Sequence, residues 1–383
     1  MRILHVVPSY FPAVRYGGPI WSVHGLAAGE AALGHEVHVF TTNADGPGVS
    51  DVPLDRPAVL DGVKVHYFAV GSPRRLFRAP AMARALAERA GEFDVVHLHS
   101  VFLWPTLAAA RAARRAGVPY VLSPRGMLVK GLIAAKSGPV KRAWLALFER
   151  RTIAGAAALH VTSQQEASDF AGMGFTARAI VEIPNGVDPP SAAMDRPATD
   201  VAAEIAKGPY VLYLGRLNWK KNLQALIDAM AEVPSLRLVI AGNDEAYAAT
   251  LDGAALGDRL SLIARSVDGA DKEALFTGAS IFCLPSTNEN FGNTVLEAMA
   301  RGVPVVCSKH AGAATVVRET QSGLLAMPEA LSLGAALAQL VRQPDRAAAC
   351  ARAGRRAAAE QYGWKPIAER MVAAYRAIRS TNA

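Results

Sequence analysis

The chain has 383 residues, 51% hydrophobic and 19% charged, with a net charge of +8. That length exceeds one ordinary core and the composition excludes a disordered chain, so two packed domains are expected. The moderate basic surplus points to anionic ligands or an anionic surface, and without helix-turn-helix, zinc or aromatic-basic signatures nucleic acid is set aside. In chain order, "RILHVV" (2–7) is an apolar run ending at Pro8 with no small-residue cleavage site, so it is a first strand and not a signal peptide. Gly17 and Gly18 follow in a loop where glycine lets backbone approach a ligand. A helix runs from Ile20 to Leu33 and closes at Gly34. On it Val23, Leu26, Glu30 and Leu33 share one apolar face. A carboxylate there is out of place, and the expectation is that Glu30→Leu keeps activity and stability.

Further strands are "EVHVFTT" (36–42), "DVVHLHS" (94–100), "YVLSPR" (120–125) and "ALHVTS" (158–163), with an Ala-rich helix through Arg115. Period two puts His97 and His99 on one strand face, His99 nearer the carboxyl end; strand histidines are more often core residues than ligands. Residues 124–151 mix Arg142, Arg150 and Arg151 with Trp144, Leu145, Leu147 and Phe148. This is either a surface helix packed on its own domain or a face for an anionic or membrane-borne partner. After "IPNGVD" (183–188) a Pro-, Ala- and Asp-rich stretch forms a linker. A second series then follows: "YVLYLG" (210–215), "RLVIAG" (237–242), "SIFCLPS" (280–286) and "VPVVCS" (303–308). Short β-rich runs alternating with helices make parallel sheets covered on both faces. Two α/β doubly wound domains are expected, 1–188 (with a C-terminal helix, 363–383) and 205–362. Ligands should lie at the carboxyl ends of the strands, in the interdomain cleft. Cys283, Cys307 and Cys350 are widely spaced, which suits a reducing cytosol, and no apolar run reaches the roughly 18 residues that span a bilayer.

Two carboxylates, Glu289 and Glu297, flank Phe291, Gly292, Asn293 and Thr294, which resemble the start of a helix. Thr294 and Glu297 fit a capping box. The same helix start offers N–H groups to a phosphate, while the glutamates suit hydroxyls on either side of it. Arg216 and Lys221 leave another strand end of the same sheet, where two cations imply an anion.

"GRLNWKKN", "VDGADKEALFTGASIFCLPS" and "ENFGNTVLEAMARGVPVV" together resemble the group-one (family four) glycosyltransferases. The likeness spans the whole chain, including "GGP", "DVVHLH", "IPNGVD" and the terminal "YGWKPIAERMVAAYRAI". It implies the GT-B fold, two facing Rossmann-like domains with the last helix returning to the first. It implies a retaining hexosyltransferase acting on a GDP- or UDP-sugar, with a glycan or lipid-linked acceptor in cell-surface polysaccharide synthesis. By resemblance Glu289 lies near the donor sugar hydroxyls, Glu297 holds the ribose, and Arg216 and Lys221 neutralise the diphosphate. Residues 291–294, Gly17 and Gly18 approach the donor, Val267 contacts the base, and His99 lies nearest the donor sugar. Asn222 and Arg265 stand where the family often has glycine. With no Asp-x-Asp motif, neither a metal nor another cofactor is expected, and a front-face transfer assisted by the departing phosphate is the working mechanism. The implied location is cytoplasmic, with contact to anionic membrane at the inner face. A nucleotide-sugar epimerase of the same fold and a catalytically silent nucleotide-sugar binder are the alternatives.

Overall fold

The computed structural model describes residues 1–135, 138–191 and 196–382. Its compact units are Met1–Gly186 with Trp364–Ala383, and Val187–Gly363. In the first unit the strands of the main sheet are β1 (Arg2–Ser9), β2 (Glu36–Thr42), β3 (Ala58–Leu60), β4 (Val63–Phe68), β5 (Val95–His99), β6 (Tyr120–Ser123), β7 (Ala158–Val161) and β8 (Ile180–Glu182). They form one sheet in the order β8-β7-β6-β5-β1-β2-β4-β3, parallel except for the β3–β4 pair. Period two sorts their side chains into two cores. Ile3, Val37, Val39, Val95 and Val121 pack with residues of the helices Gly18–Ala32 and Trp364–Asn382. Leu4, Phe40, Val96, Leu98 and Leu122 pack with residues of Pro80–Arg89 and Trp104–Arg115 on the other face.

The return of the last helix depends on glycine. A Cβ on Gly25 would lie 2.0 Å from Trp364 Cε2, and one on Gly186 2.4 Å from Trp364 Cε3. Both glycines make room for the indole, which seats the C-terminal helix on the first helix.

The second unit carries β9 (Tyr210–Leu214), β10 (Arg237–Ala241), β11 (Leu260–Ile263), β12 (Ile281–Leu284), β13 (Val305–Ser308) and β14 (Gly323–Ala326). All are parallel, in the order β11-β10-β9-β12-β13-β14. In each sheet the strand order reverses beside one strand, β1 in the first and β9 in the second. The carboxyl ends around such a reversal are where ligands of open α/β sheets bind.

The basic segment packs on its own unit. Leu145 is buried, Trp144 and Phe148 are half-buried, and Arg111 and Arg150 lie over the rings of Phe148 and Phe175. The exposed apolar side chains in its described part are Val140 and Leu147, so its aromatic rings are not the open surface that the sequence suggests. Residues 136–137 of this segment and 192–195 of the linker lie outside the described residues. No described helix is long and apolar enough to cross a membrane.

Candidate functional site

In the second unit β9 runs out through Gly215 into Arg216, whose backbone oxygen accepts the Tyr213 hydroxyl at 2.9 Å. The Arg216 side chain is exposed, with no hydrogen bond or ion pair among the described residues. Lys221 closes a short turn, Trp219–Lys221, and its ammonium pairs with the Glu289 carboxylate. Neighbouring Lys220 turns toward the exposed Trp219 ring, 5.7 Å from its centroid. Asn222 adopts φ +56°, a left-handed conformation that glycine and asparagine tolerate best. Its amide donates to the Pro285 and Pro328 carbonyls, which explains asparagine at a position where the family often has glycine.

The loop after β12 carries the acidic pair. Glu289 is pinned through its backbone: its N–H donates to His310 O at 3.4 Å, and its carbonyl accepts from Gly312 N at 3.0 Å. Phe291 is buried in the apolar core, and Gly292 takes φ +97° ahead of the helix Asn293–Ala300. A Cβ at Gly292 would sit 2.7 Å from Leu284 Cδ2, so the turn needs glycine for conformation and for space. With the chain anchored at Phe291, the helix starts before Thr294, which lies inside it. The N-cap is Gly292 and not Thr294, so the Thr294–Glu297 capping box does not form. Glu297 instead receives Lys272 at 3.3 Å. A helix start preceded by glycine lets a ligand approach the backbone closely, at the end of the helix that favours an anion. The Val267 side chain belongs to the core, leaving its backbone for any ligand. Arg265 is drawn off by Asp200 and Asp271, at 3.0 and 2.8 Å.

The corresponding strand ends of the first unit hold a buried polar layer. Gly17, at φ +84°, precedes the helix Gly18–Ala32, so a side chain there would strain the turn. Glu30 on that helix is fully buried and accepts His5 Nε2 at 2.7 Å; it is a bonded member of the core, and the expectation that leucine replaces it without cost is corrected. His5 Nδ1 meets His99 Nε2 at 2.9 Å, and Arg125 Nη2 meets His99 Nδ1 at 3.2 Å. Arg125 Nη1 donates to Asn185 Oδ1 at 2.9 Å.

A second chain lies beside it. The Tyr375 hydroxyl is 2.6 Å from His97 Nδ1, His97 Nε2 is 2.7 Å from Ser123 Oγ, and Ser123 Oγ is 2.7 Å from His160 Nδ1. His160 Nε2 ends on the Ile183 carbonyl at 2.9 Å. Burial holds His97 and His99 well below the ordinary imidazole range and His160 at about 3, so all three are neutral at pH 7. Burial also pulls Arg125 down to about 10, still charged at pH 7. His5, His97 and His99 lie close enough to suggest a metal cluster, but all six ring nitrogens already have hydrogen-bond partners. Ser100, Phe102 and Arg125 take φ of +76°, +62° and +55° at the ends of β5 and β6. Left-handed non-glycine residues are costly and concentrate where geometry serves a ligand.

Residues 17–186 match the Glycosyl transferase 4-like domain, and residues 196–357 match Glycosyl transferases group 1. The chain is 28% identical to the D-inositol 3-phosphate glycosyltransferase of Jonesia denitrificans, with 99% of this chain and 96% of that protein covered. It is also 28% identical to the phosphatidyl-myo-inositol mannosyltransferase of Mycobacterium leprae, covering 100% and 98%. Among solved structures, sucrose-phosphate synthase from Thermosynechococcus elongatus superposes with a TM-score of 0.76 at 22% identity over 99% of both chains. Anabaena Alr3699/HepE in complex with UDP-glucose superposes with a TM-score of 0.72 at 21% identity, covering 98% of this chain and 100% of that one.

Proposed function

This chain belongs to the group-one glycosyltransferases and has the GT-B fold, and on that premise we propose that it moves a hexose from a UDP- or GDP-sugar to a glycan or lipid-linked acceptor, with retention. The observation that carries the donor assignment is the set of strand ends around β9 and β12. There an unpaired Arg216, the Lys221–Glu289 pair and a helix start at Gly292 come from one sheet. A diphosphate entering there would draw Lys221 off Glu289 and leave that carboxylate free for sugar hydroxyls. Negative charge grows on the diphosphate as the glycosidic bond breaks, and fixed cations and N–H groups stabilise it without needing a metal. Phe291, Gly292, Asn293 and Thr294 supply the backbone at the phosphates and sugar, Glu297 holds the ribose, and the Val267 backbone meets the base. Gly17 and Gly18 let the first unit's loop approach the donor. His99, with both nitrogens bonded, serves by position and not as a proton acceptor.

The two relatives above are named for inositol 3-phosphate and phosphatidyl-myo-inositol. They support a polyol or lipid-linked acceptor here. With a lipid-linked acceptor, the proposed role is cell-surface polysaccharide synthesis at the cytoplasmic face of the membrane. The test begins with a thermal-shift screen against UDP, GDP and ADP, since a ligand of the native state raises apparent stability. Incubation with the matching nucleotide-sugar, alone and with candidate acceptors, then separates the chemistries. Epimerised sugar from donor alone means an epimerase, and a bound but unchanged donor with every acceptor means a silent binder. A glycoside of unchanged anomeric configuration is the expected product.

A further inference from the structure

We infer that Arg125, and not the His99 imidazole, is the group by which the first unit meets a phosphate oxygen of its substrate, and that Glu30, His5 and His99 are positioning residues for that guanidinium. The inference rests on the glycosyltransferase reading only for the kind of substrate. The rest follows from the hydrogen-bond chain and its two ends. Glu30, as a carboxylate, accepts, and a guanidinium only donates. With the ends fixed, the middle has one arrangement. His5 carries its proton on Nε2 toward Glu30 and accepts at Nδ1 from His99 Nε2–H. His99 then presents its Nδ1 lone pair to Arg125. Reversing the protons would set an Nδ1–H of His99 against an N–H of Arg125. The carboxylate on the helix Gly18–Ala32 thus fixes, through two imidazoles, which way the guanidinium is held.

Arg125 itself is incompletely satisfied. Its partners Asn185 and His99 are both neutral, and its Nε is buried with no acceptor. The nearby carboxylate, Glu166, spends both oxygens on Gly126 N–H and on the N–H and hydroxyl of Thr162. A cation held among neutral acceptors, at a left-handed residue and at a sheet end where ligands bind, is arranged for an anion that comes and goes. Arg125 keeps part of its surface open, so an anion can reach it. The phosphate could be the donor diphosphate or a phosphorylated acceptor, and the test separates them.

The full chain, labelled with 15N-histidine, gives the tautomers by NMR, with His5 and His99 assigned from single-histidine variants. Calorimetric titrations with UDP, GDP and inorganic phosphate are run in parallel on wild type, Arg125→Lys, Glu30→Gln, Glu30→Leu and Arg216→Ala. The expected spectrum has His5 and His99 protonated on Nε2. Arg125→Lys should weaken at least one phosphate probe by about tenfold or more, because a point charge does not replace a planar fork held at two nitrogens. Loss for UDP or GDP identifies the donor as the source, and loss for inorganic phosphate alone identifies a phosphorylated acceptor. Glu30→Gln keeps an accepting oxygen and should keep both tautomer and affinity. Glu30→Leu leaves His5 Nε2–H without its acceptor and should weaken the same probe as Arg125→Lys. If Glu30→Leu does not fold, the wild-type tautomers and Arg125→Lys decide. A wild-type His99 protonated on Nδ1, unchanged affinity for every probe in Arg125→Lys, or no binding of any probe by wild type overturns the inference. Unchanged UDP and GDP affinity in Arg216→Ala counts against the donor assignment alone.

Discussion

The two units solve the same problem, charge at the carboxyl end of a parallel sheet, in opposite ways. At these strand ends of the second unit the charged groups are exposed or half-buried: Arg216 has no ion pair among the described residues, Lys221 meets Glu289 and Lys272 meets Glu297. Such pairs contribute little to stability and can be exchanged for a ligand at small cost. In the first unit Glu30, His5, His97, His99 and His160 are buried, and their hydrogen bonds form chains with fixed ends. Buried networks of this kind are stiff when complete and costly when one member is removed. The difference teaches where flexibility is placed: exchangeable ion pairs in one unit, a rigid polar layer in the other.

The largest effect should come from breaking the exchangeable side. Arg216→Ala and Lys221→Ala should each lower donor turnover by about ten- to a hundredfold, since a charge-assisted contact is worth roughly 1.5–3 kcal/mol, and leave the fold intact. Lys220→Ala should stay near wild type because its ammonium lies by the Trp219 ring, and Lys221→Arg should recover only part of the rate. Steady-state kinetics check all four; damage from Lys220→Ala with a silent Lys221→Ala would exchange the two roles.

Acid sharpens the comparison. Eight of the nine histidines belong to the first unit, and His310 alone to the second. Folded His97, His99 and His160 stay neutral well below pH 6.5, His160 to about 3, whereas unfolded imidazoles take up a proton near ~6.5. His66 behaves likewise, lowered to about 4 by burial. The unfolded chain therefore binds more protons in this window, and stability is lost as pH falls through it, by roughly 1.4 kcal/mol per pH unit for each such histidine. Hydrogen exchange at pH 7 and pH 5 should show the first unit losing protection while the second changes little. Equal loss in both would mean that the buried imidazoles do not govern acid stability.

Smaller still is Glu30→Leu, which leaves His5 Nε2–H without its acceptor and should cost about 1–3 kcal/mol in urea unfolding. No loss would mean that the Glu30–His5 bond contributes nothing to the layer. The smallest expected effect concerns the membrane. Binding to anionic liposomes through Lys141 and Arg142 should be weak, confined to low salt and abolished when both are alanine, as a sedimentation assay would show. Binding that survives those substitutions would place the contact elsewhere.

The sheets were legible because their central strands are short β-rich runs, as in "EVHVFTT" and "YVLYLG", buried on both faces along most of their length. Strands β4, β11 and β14 were harder to see. Val63–Phe68 alternates with Lys64 and His66, and Leu260–Ile263 and Gly323–Ala326 are four-residue runs with partly exposed positions. The second unit's candidate site could be proposed from the sequence because its residues fall in short motifs close to strand ends. The first unit's layer joins residues 23 to 278 positions apart, and no local motif contains it. Its signal was present as two misplacements: a carboxylate on the apolar face of the first helix, and histidines at inward strand positions. Read singly, each looked like an anomaly; only their pairing in space makes them one structure. The capping box misled for a different reason. Sequence spacing allowed Thr294 to begin the helix, but burial of Phe291 and the left-handed Gly292 start it earlier.

The most direct test of the donor assignment is a calorimetric titration of UDP and GDP into wild type, Arg216→Ala and Lys220→Ala. One of the two nucleotides should bind the wild type, with Arg216→Ala weakened by about tenfold and Lys220→Ala unchanged. Failure of both nucleotides to bind, or equal affinity in all three proteins, would contradict a diphosphate site at the end of β9.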